Sequence, residues 1–251
     1  MVTFVGAGPG DPELITVKGR KALETADAVI YAGSLVNPAL LGLCKGGCVV
    51  YNSAEMTLEQ VLDRMIRVHR SGQSVVRLHT GDPSLYGAIR EQMDALRGAG
   101  IPFRLIPGVS SFSGAAAAVA GEYTLPGVSQ SVIITRLAGR TPVPEAEQLR
   151  LLARHGCTMV IFLSAGMLDR VQTELLAGAY SETTPAALVY KATWPEEKVL
   201  RCPLGRLAES GRANHITHTA LVLVGDFLGD RYDRSKLYDP AFTTGFREGT
   251  P

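Results

Sequence analysis

The sequence predicts an α/β protein of two domains, the first a mostly parallel, doubly wound sheet and the second a mixed sheet. Three observations predict it. Over the first part of the chain short β-branched runs alternate with longer helical patterns, the signature of βαβ units. The turn-rich segment Gly121-Glu122-Tyr123-Thr124-Leu125-Pro126-Gly127 then breaks that rhythm. Beyond it, strand-like runs around 187 and 198 are joined by a turn containing Trp194-Pro195-Glu196-Glu197, too short for a parallel crossover, so this half holds an antiparallel hairpin. The expected domains are residues 1–120 and 121–251.

In chain order, the first-half strands are Val2 to Val5, Ala28 to Tyr31, Val49 to Asn52, Ser74 to His79 and Phe103 to Ile106. Leu58, Val61, Leu62, Met65 and Ile66 follow i, i+3, i+4, i+7, i+8 spacing, which buries one helical face and makes Met65 a core residue. Leu85, Ile89, Met93 and Leu96 form a second stripe that stops at Arg97-Gly98-Ala99-Gly100. The second half should carry strands near Ser131 to Arg136, Thr158 to Ser164, Ala187 to Tyr190, Lys198 to Cys202 and Ala220 to Val224. Its helices are expected near Glu145 to His155, Leu168 to Leu176 and Leu204 to Ser210. The polar, periodless tail from Asp230 is expected to be partly disordered or packed on a partner subunit.

Composition narrows the function. With 46% hydrophobic and 20% charged residues in 251, the chain can bury one large core or two smaller ones. A formal net charge of +1 gives no global field toward nucleic acid or an anionic membrane, so neither is expected as a partner. No apolar run approaches the roughly 20 residues of a membrane helix, and the chain opens directly on a strand, so a cytoplasmic protein is expected. Cys44, Cys48, Cys157 and Cys202 are too few and scattered for a disulfide framework, which fits a reducing compartment. The CxxxC spacing of Cys44 and Cys48 lacks a second ligand pair, and His69, His155, His215 and His218 lack ligand spacing, so no metal site is expected.

Chemistry enters through three glycine clusters. Gly6-Ala7-Gly8-Pro9-Gly10-Asp11 follows the first strand, but a dinucleotide fingerprint fails there. Asp11 replaces the third glycine, Pro9 removes a donor, and no acid ends the second strand. Thr80-Gly81-Asp82-Pro83 follows the fourth strand and Pro107-Gly108-Val109-Ser110-Ser111 the fifth. In a parallel sheet these loops share the carboxyl edge, where open α/β sheets bind ligands. Their convergence favours a ligand site over three plain strand-to-helix turns.

These residues resemble the tetrapyrrole (corrin/porphyrin) methylases: Val5 to Asp11 with Leu14, Thr16, Lys18 and Gly19, then Gly81-Asp82-Pro83, Pro107 to Ser111, and a strand ending Leu223-Val224-Gly225. The resemblance spans about residues 2 to 228. It implies two α/β domains that together hold S-adenosylmethionine, with S-adenosylhomocysteine as product, a tetrapyrrole substrate and a homodimer. By matching position it implies cofactor contacts from Pro9, Thr80, Gly81, Asp82, Leu85, Ser110 and Ser111, and an adenine wall from Leu163, Ala192 and Ala220. The uroporphyrinogen branch carries an acid where this chain has Ala32. Instead Tyr31 to Pro38, Asn52-Ser53-Ala54-Glu55 and Tyr190 to Glu197 resemble the branch that methylates C11 of precorrin-4 or its cobalt form. Other members methylate different tetrapyrrole carbons, RNA or protein, which remain the alternatives.

A sulfonium methyl needs positioning more than activation. Forked guanidinium groups suit a macrocycle rich in carboxylates, which nominates Arg90, Arg136 and Arg140 for substrate binding. Asp82 and His79 are the expected catalytic groups if a proton must be removed, with Glu122 and Glu55 as further candidates. Cobalt, if present, would arrive inside the substrate.

Overall fold

The computed structural model describes residues 1–250, which divide into two compact units. The first comprises Met1–Ala115 together with Lys191–Glu197; the second comprises Ala116–Tyr190 and the chain from Lys198 onward. The division therefore falls inside a helix rather than at 120/121, and the Gly121–Gly127 segment belongs wholly to the second unit. Burial explains this: Tyr123 is buried edge-on against Phe227, 5.1 Å between ring centroids, and that one side chain anchors the otherwise exposed or half-buried segment to the second unit.

The first unit runs β1 (Val2–Gly6), α1 (Val17–Thr25), β2 (Ala28–Tyr31), β3 (Val49–Asn52), α2 (Leu58–Arg70), β4 (Val75–His79), α3 (Arg90–Gly98), β5 (Phe103–Ile106) and the start of α4 (Ser111–Ala118). Its sheet has the order β3-β2-β4-β1-β5 with every pairing parallel. β1 and β4 are interior strands buried at every residue, the polar Thr3, Arg77 and His79 included, and Arg77 donates to Gln92 and to the Ile30 carbonyl. Alternation along the strands sends Val5, Val29, Val76 and Leu78 to a layer with Leu23 and Leu40, and Phe4, Ile30 and Val75 to a layer with Val61, Met65 and Leu96. A Thr57/Gln60 capping box starts α2.

One helix begins later than its apolar stripe predicts. Tyr86 and Ala88 have φ of 54° and 48°, incompatible with a right-handed helix, so α3 starts at Arg90 and Leu85 stays in the loop after β4. The α1 and α4 helices have weak apolar stripes and went unpredicted.

The second unit runs β6 (Val132–Arg136), α5 (Leu149–Leu152), β7 (Thr158–Phe162), α6 (Leu168–Leu176), β8 (Pro185–Tyr190), β9 (Lys198–Pro203), α7 (Leu207–Ala213) and β10 (Ala220–Val224). The sheet order is β6-β7-β10-β8-β9; β6 and β7 are parallel and the other pairs antiparallel, including the β8–β9 hairpin. The helix expected over 145–155 is broken, because Gln148 adopts ψ of 137° between a 3-10 turn and α5. The tail carries local order of its own: Arg247 donates to the carbonyls of Leu237, Asp239 and Phe242 beside a Thr244–Arg247 bridge.

Candidate cofactor site at the carboxyl edge of the first sheet

The order β4-β1-β5 makes neighbours of the three strands whose loops carry the glycine clusters, so those loops lie side by side. They approach more closely than side chains would permit. A Cβ on Gly6 would lie 2.5 Å from the Gly108 backbone and 2.6 Å from the Gly81 carbonyl, and one on Gly108 would lie 2.1 Å from that same oxygen. Gly8 and Gly81 exchange backbone hydrogen bonds of 2.9 and 3.3 Å, joining the first and second loops. Glycine is required here for access, not merely for turning the chain.

Asp82 fastens the second loop to the third. One carboxylate oxygen accepts from Gly108 N at 2.8 Å, and the other accepts from Ser84 N at 2.8 Å and from Ser84 Oγ. Partial burial opposes ionisation, but these hydrogen bonds outweigh it and hold the carboxyl below the usual aspartate range. Asp82 is thus an ionised latch with its oxygens occupied. His79 sits at the end of β4, 4% exposed and stacked on Phe4 with 6.1 Å between centroids. Burial first, and the Arg77 charge second, push its pKa down to about 3, so it is neutral, and its Nε2 has no hydrogen-bond partner among the described residues. Thr80 Oγ1, the next polar atom along, is likewise buried and unpartnered. A buried hydroxyl at this sheet edge without a protein partner is what a polar ligand would satisfy.

Ser110 is buried and its carbonyl accepts from Ser113 and Gly114 at the start of α4, which Ser111 opens. Beside these loops lies a cavity of about 490 Å³ lined by residues 82–85 and 107–110 with Leu105, Phe112 and Ser113. Pro9, Thr80, Gly81, Asp82, Leu85, Ser110, Ser111 and Ala192 all fall in the first unit. Leu163 and Ala220 fall in the second, where the β7–β10 register, continued past Ile161–Val222, sets them opposite one another, and Ala220 pairs with Tyr190. Leu163 is 63% exposed at φ of 54°, a strained backbone of the kind found at ligand sites.

The nominated arginines differ in their engagements. Arg136 donates to the carbonyls of Leu137, Thr141 and Pro142 and so braces its own loop. Arg90 is exposed on α3 and pairs with Asp94 at 2.8 Å. Arg140 is exposed near the same loop as Arg136. Glu55 accepts from Asn52 at 3.3 Å, and Glu122 is exposed. Sequence reasoning missed the role of Trp194, whose indole lies on Gly10; its being the only tryptophan in the chain was the available signal.

Residues 1–208 match the model of the Tetrapyrrole (Corrin/Porphyrin) Methylases. A cobalt-precorrin-4 C(11)-methyltransferase of Methanocaldococcus jannaschii is 54% identical over 98% of this chain and 96% of its own. Among solved structures, the cobalt precorrin-4 methyltransferase CbiF, a cobalamin biosynthetic enzyme, superposes with a TM-score of 0.89 at 47% identity over 91% of this chain and 96% of that one. A uroporphyrin-III C-methyltransferase from Thermus thermophilus, in complex with S-adenosylhomocysteine, gives a TM-score of 0.76 at 28% identity over 90% and 98% of the two chains. With glycine loops converging on one sheet edge and a family match covering most of its length, the chain belongs to the tetrapyrrole (corrin/porphyrin) methylases.

Proposed function

We propose that this chain transfers the methyl group of S-adenosylmethionine to C11 of precorrin-4, in its cobalt-bearing or cobalt-free form, during corrin-ring assembly. The observation that carries the reading is the 54% identity, over 98% of the chain, to a cobalt-precorrin-4 C(11)-methyltransferase. The site's geometry supports the cofactor: the glycine loops leave backbone accessible, and the unpartnered Thr80 Oγ1 offers a polar contact.

When bound, the cofactor supplies an electrophilic sulfonium methyl. The chain's task is to hold that methyl in line with the macrocycle carbon, about 3 to 3.5 Å away, and to exclude water. In this reading Pro9, Thr80, Gly81, Leu85, Ser110 and Ser111 hold the cofactor on the first unit, Ala192 follows on the 191–197 segment, and Leu163 and Ala220 supply the adenine wall. Asp82 acts as the latch between two cofactor loops, since its oxygens already accept three hydrogen bonds. His79, neutral and buried, acts as a packing residue behind them rather than as the base. Arg140, with Arg136 bracing its loop, meets substrate carboxylates, and Arg90 is committed to Asp94. The enzyme works in the cytoplasm as a homodimer without nucleic acid.

The test is incubation with methyl-labelled S-adenosylmethionine and either precorrin-4 or its cobalt complex, with the label located by NMR. Label at C11 is expected, and the preferred substrate tells whether cobalt enters before this step. Label at another carbon would overturn the C11 reading.

A further inference from the structure

We infer that Thr193 and Trp194 are positioning residues for the methyl donor: the segment between β8 and β9 clasps the Pro9–Asp11 loop and sets where that loop meets the cofactor. The inference rests on the proposed reading of Pro9 as a cofactor-side residue.

Four observations carry it. Trp194 Nε1 donates to the Pro9 carbonyl at 3.0 Å, and Asp11 N donates to Thr193 Oγ1 at 3.0 Å, so two consecutive side chains grip both ends of the loop. The grip is close: a Cβ on Gly10 would lie 2.0 Å from Trp194 Cδ1, so the indole rests directly on glycine backbone. Thr193, a β-branched residue, is held at φ of 67°, and Lys191 at 46°, conformations such residues rarely adopt. A segment strained twice in three residues persists only where the surroundings over-determine it. The surroundings do so here: Glu197 accepts from Thr193 N at 2.6 Å, and Lys191 pairs with Glu196 at 3.0 Å while lying 5.2 Å from the indole centroid.

The clasp has a counterpart on the other side of the loop. Asn37 Nδ2 donates to the Gly10 carbonyl at 2.8 Å, and a Cβ on Gly114 of α4 would lie 2.9 Å from Pro9 Cβ. Pro9 is thereby fixed in register from three directions, its carbonyl by Trp194, the next carbonyl by Asn37 and its ring by α4. Of these, only the Trp194 and Thr193 contacts come from a hairpin turn that adds nothing to either sheet. A turn so strained and so placed is explained by what it does to the loop.

Trp194 is the only tryptophan, so its fluorescence reports on this contact alone. Titrating the full-length protein with S-adenosylhomocysteine is expected to shift or quench that emission saturably. Trp194→Phe keeps an aromatic ring but removes the donor. By isothermal calorimetry it is expected to bind S-adenosylhomocysteine about fivefold more weakly, the fold-change corresponding to about 1 kcal/mol. In turnover, KM for S-adenosylmethionine should rise by the same factor, while kcat and KM for the macrocycle stay within about twofold. Thr193→Val should show the same signature and Thr193→Ser, which restores the hydroxyl, should recover it. Unchanged S-adenosylhomocysteine affinity in both Trp194→Phe and Thr193→Val would overturn the clasp. So would a loss shared equally by both substrates and accompanied by a fall in melting temperature, the pattern of a merely structural role. A wild-type protein that does not bind S-adenosylhomocysteine at all would overturn the cofactor assignment itself, and a wild-type protein that binds it but labels another carbon would leave the clasp standing.

Discussion

The convergence of three glycine loops can be broken by a single methyl group, Gly108→Ala. The new Cβ would sit 2.1 Å from the Gly81 carbonyl and 2.7 Å from Gly6 Cα, whereas ordinary contact begins near 3.4 Å. All these atoms are backbone, so no side chain can swing aside, and the loops after β4 and β5 must separate by about 1.3 Å. That displacement removes the 2.8 Å hydrogen bond from Gly108 N to Asp82 and strains the Gly8–Gly81 pair. Overpacking of about 1–3 kcal/mol plus one or two lost hydrogen bonds at about 1 kcal/mol each gives a destabilisation of about 2–5 kcal/mol. For a chain of this size the melting temperature should fall by about 5–15 °C. Affinity for S-adenosylhomocysteine should fall at least about tenfold, because a shift near 1 Å misplaces the groups that hold it. Differential scanning calorimetry and isothermal calorimetry read the two effects. Gly98→Ala serves as the control: it lies at the end of α3 with nothing within 4 Å of its Cβ position, so it should be neutral or raise stability by about 0.5 kcal/mol. A Gly108→Ala protein that melts with the wild type and binds S-adenosylhomocysteine equally well would refute the close-approach argument.

Further outcomes follow from the same geometry. Asp82→Asn loses the ionised acceptor between two loops and should weaken S-adenosylhomocysteine binding more than it lowers the melting temperature; because hydrogen bonds hold the Asp82 carboxyl below the ordinary aspartate range, wild-type binding should weaken only as the pH falls below about 4, and the same fall in the variant would count against the latch. His79 has a folded pKa of about 3 against an ordinary 6.5, so its contribution to stability is complete above pH 6.5 and is lost as the pH falls toward 3. Between pH 7 and pH 5 this amounts to about 2 kcal/mol, which denaturant titration should detect in the wild type and find missing in His79→Phe. Leu163→Gly relieves a left-handed backbone at an exposed position and should raise stability by about 0.5–1 kcal/mol while weakening cofactor binding; a fall in stability with unchanged binding would count against both the strain and the adenine-wall role. Arg140→Gln should raise KM for the macrocycle by about tenfold with an unchanged melting temperature, as loss of a charged contact to a carboxylate does, and Arg90→Gln should leave it unaltered.

The chain's local code was sufficient for much of this molecule. Short β-branched runs located all ten strands of the described residues, because such side chains pack well on a pleated, largely buried surface. The three glycine clusters, each directly after a strand, point to one sheet edge, since parallel strands end on the same side. What the sequence could not express is distance across the fold. That Gly6, Gly81 and Gly108 touch depends on β4 and β5 being the two neighbours of β1, a strand order that local patterning does not encode. The late start of α3 follows from left-handed backbone at Tyr86 and Ala88, which an apolar stripe does not reveal. The hydrogen bonds of Asp82 with Gly108, 26 positions on, and of Trp194 with Pro9, 185 positions back, join segments that no local pattern pairs. Hydrogen bonds of that sequence separation are set by packing, and only the folded chain brings their partners together.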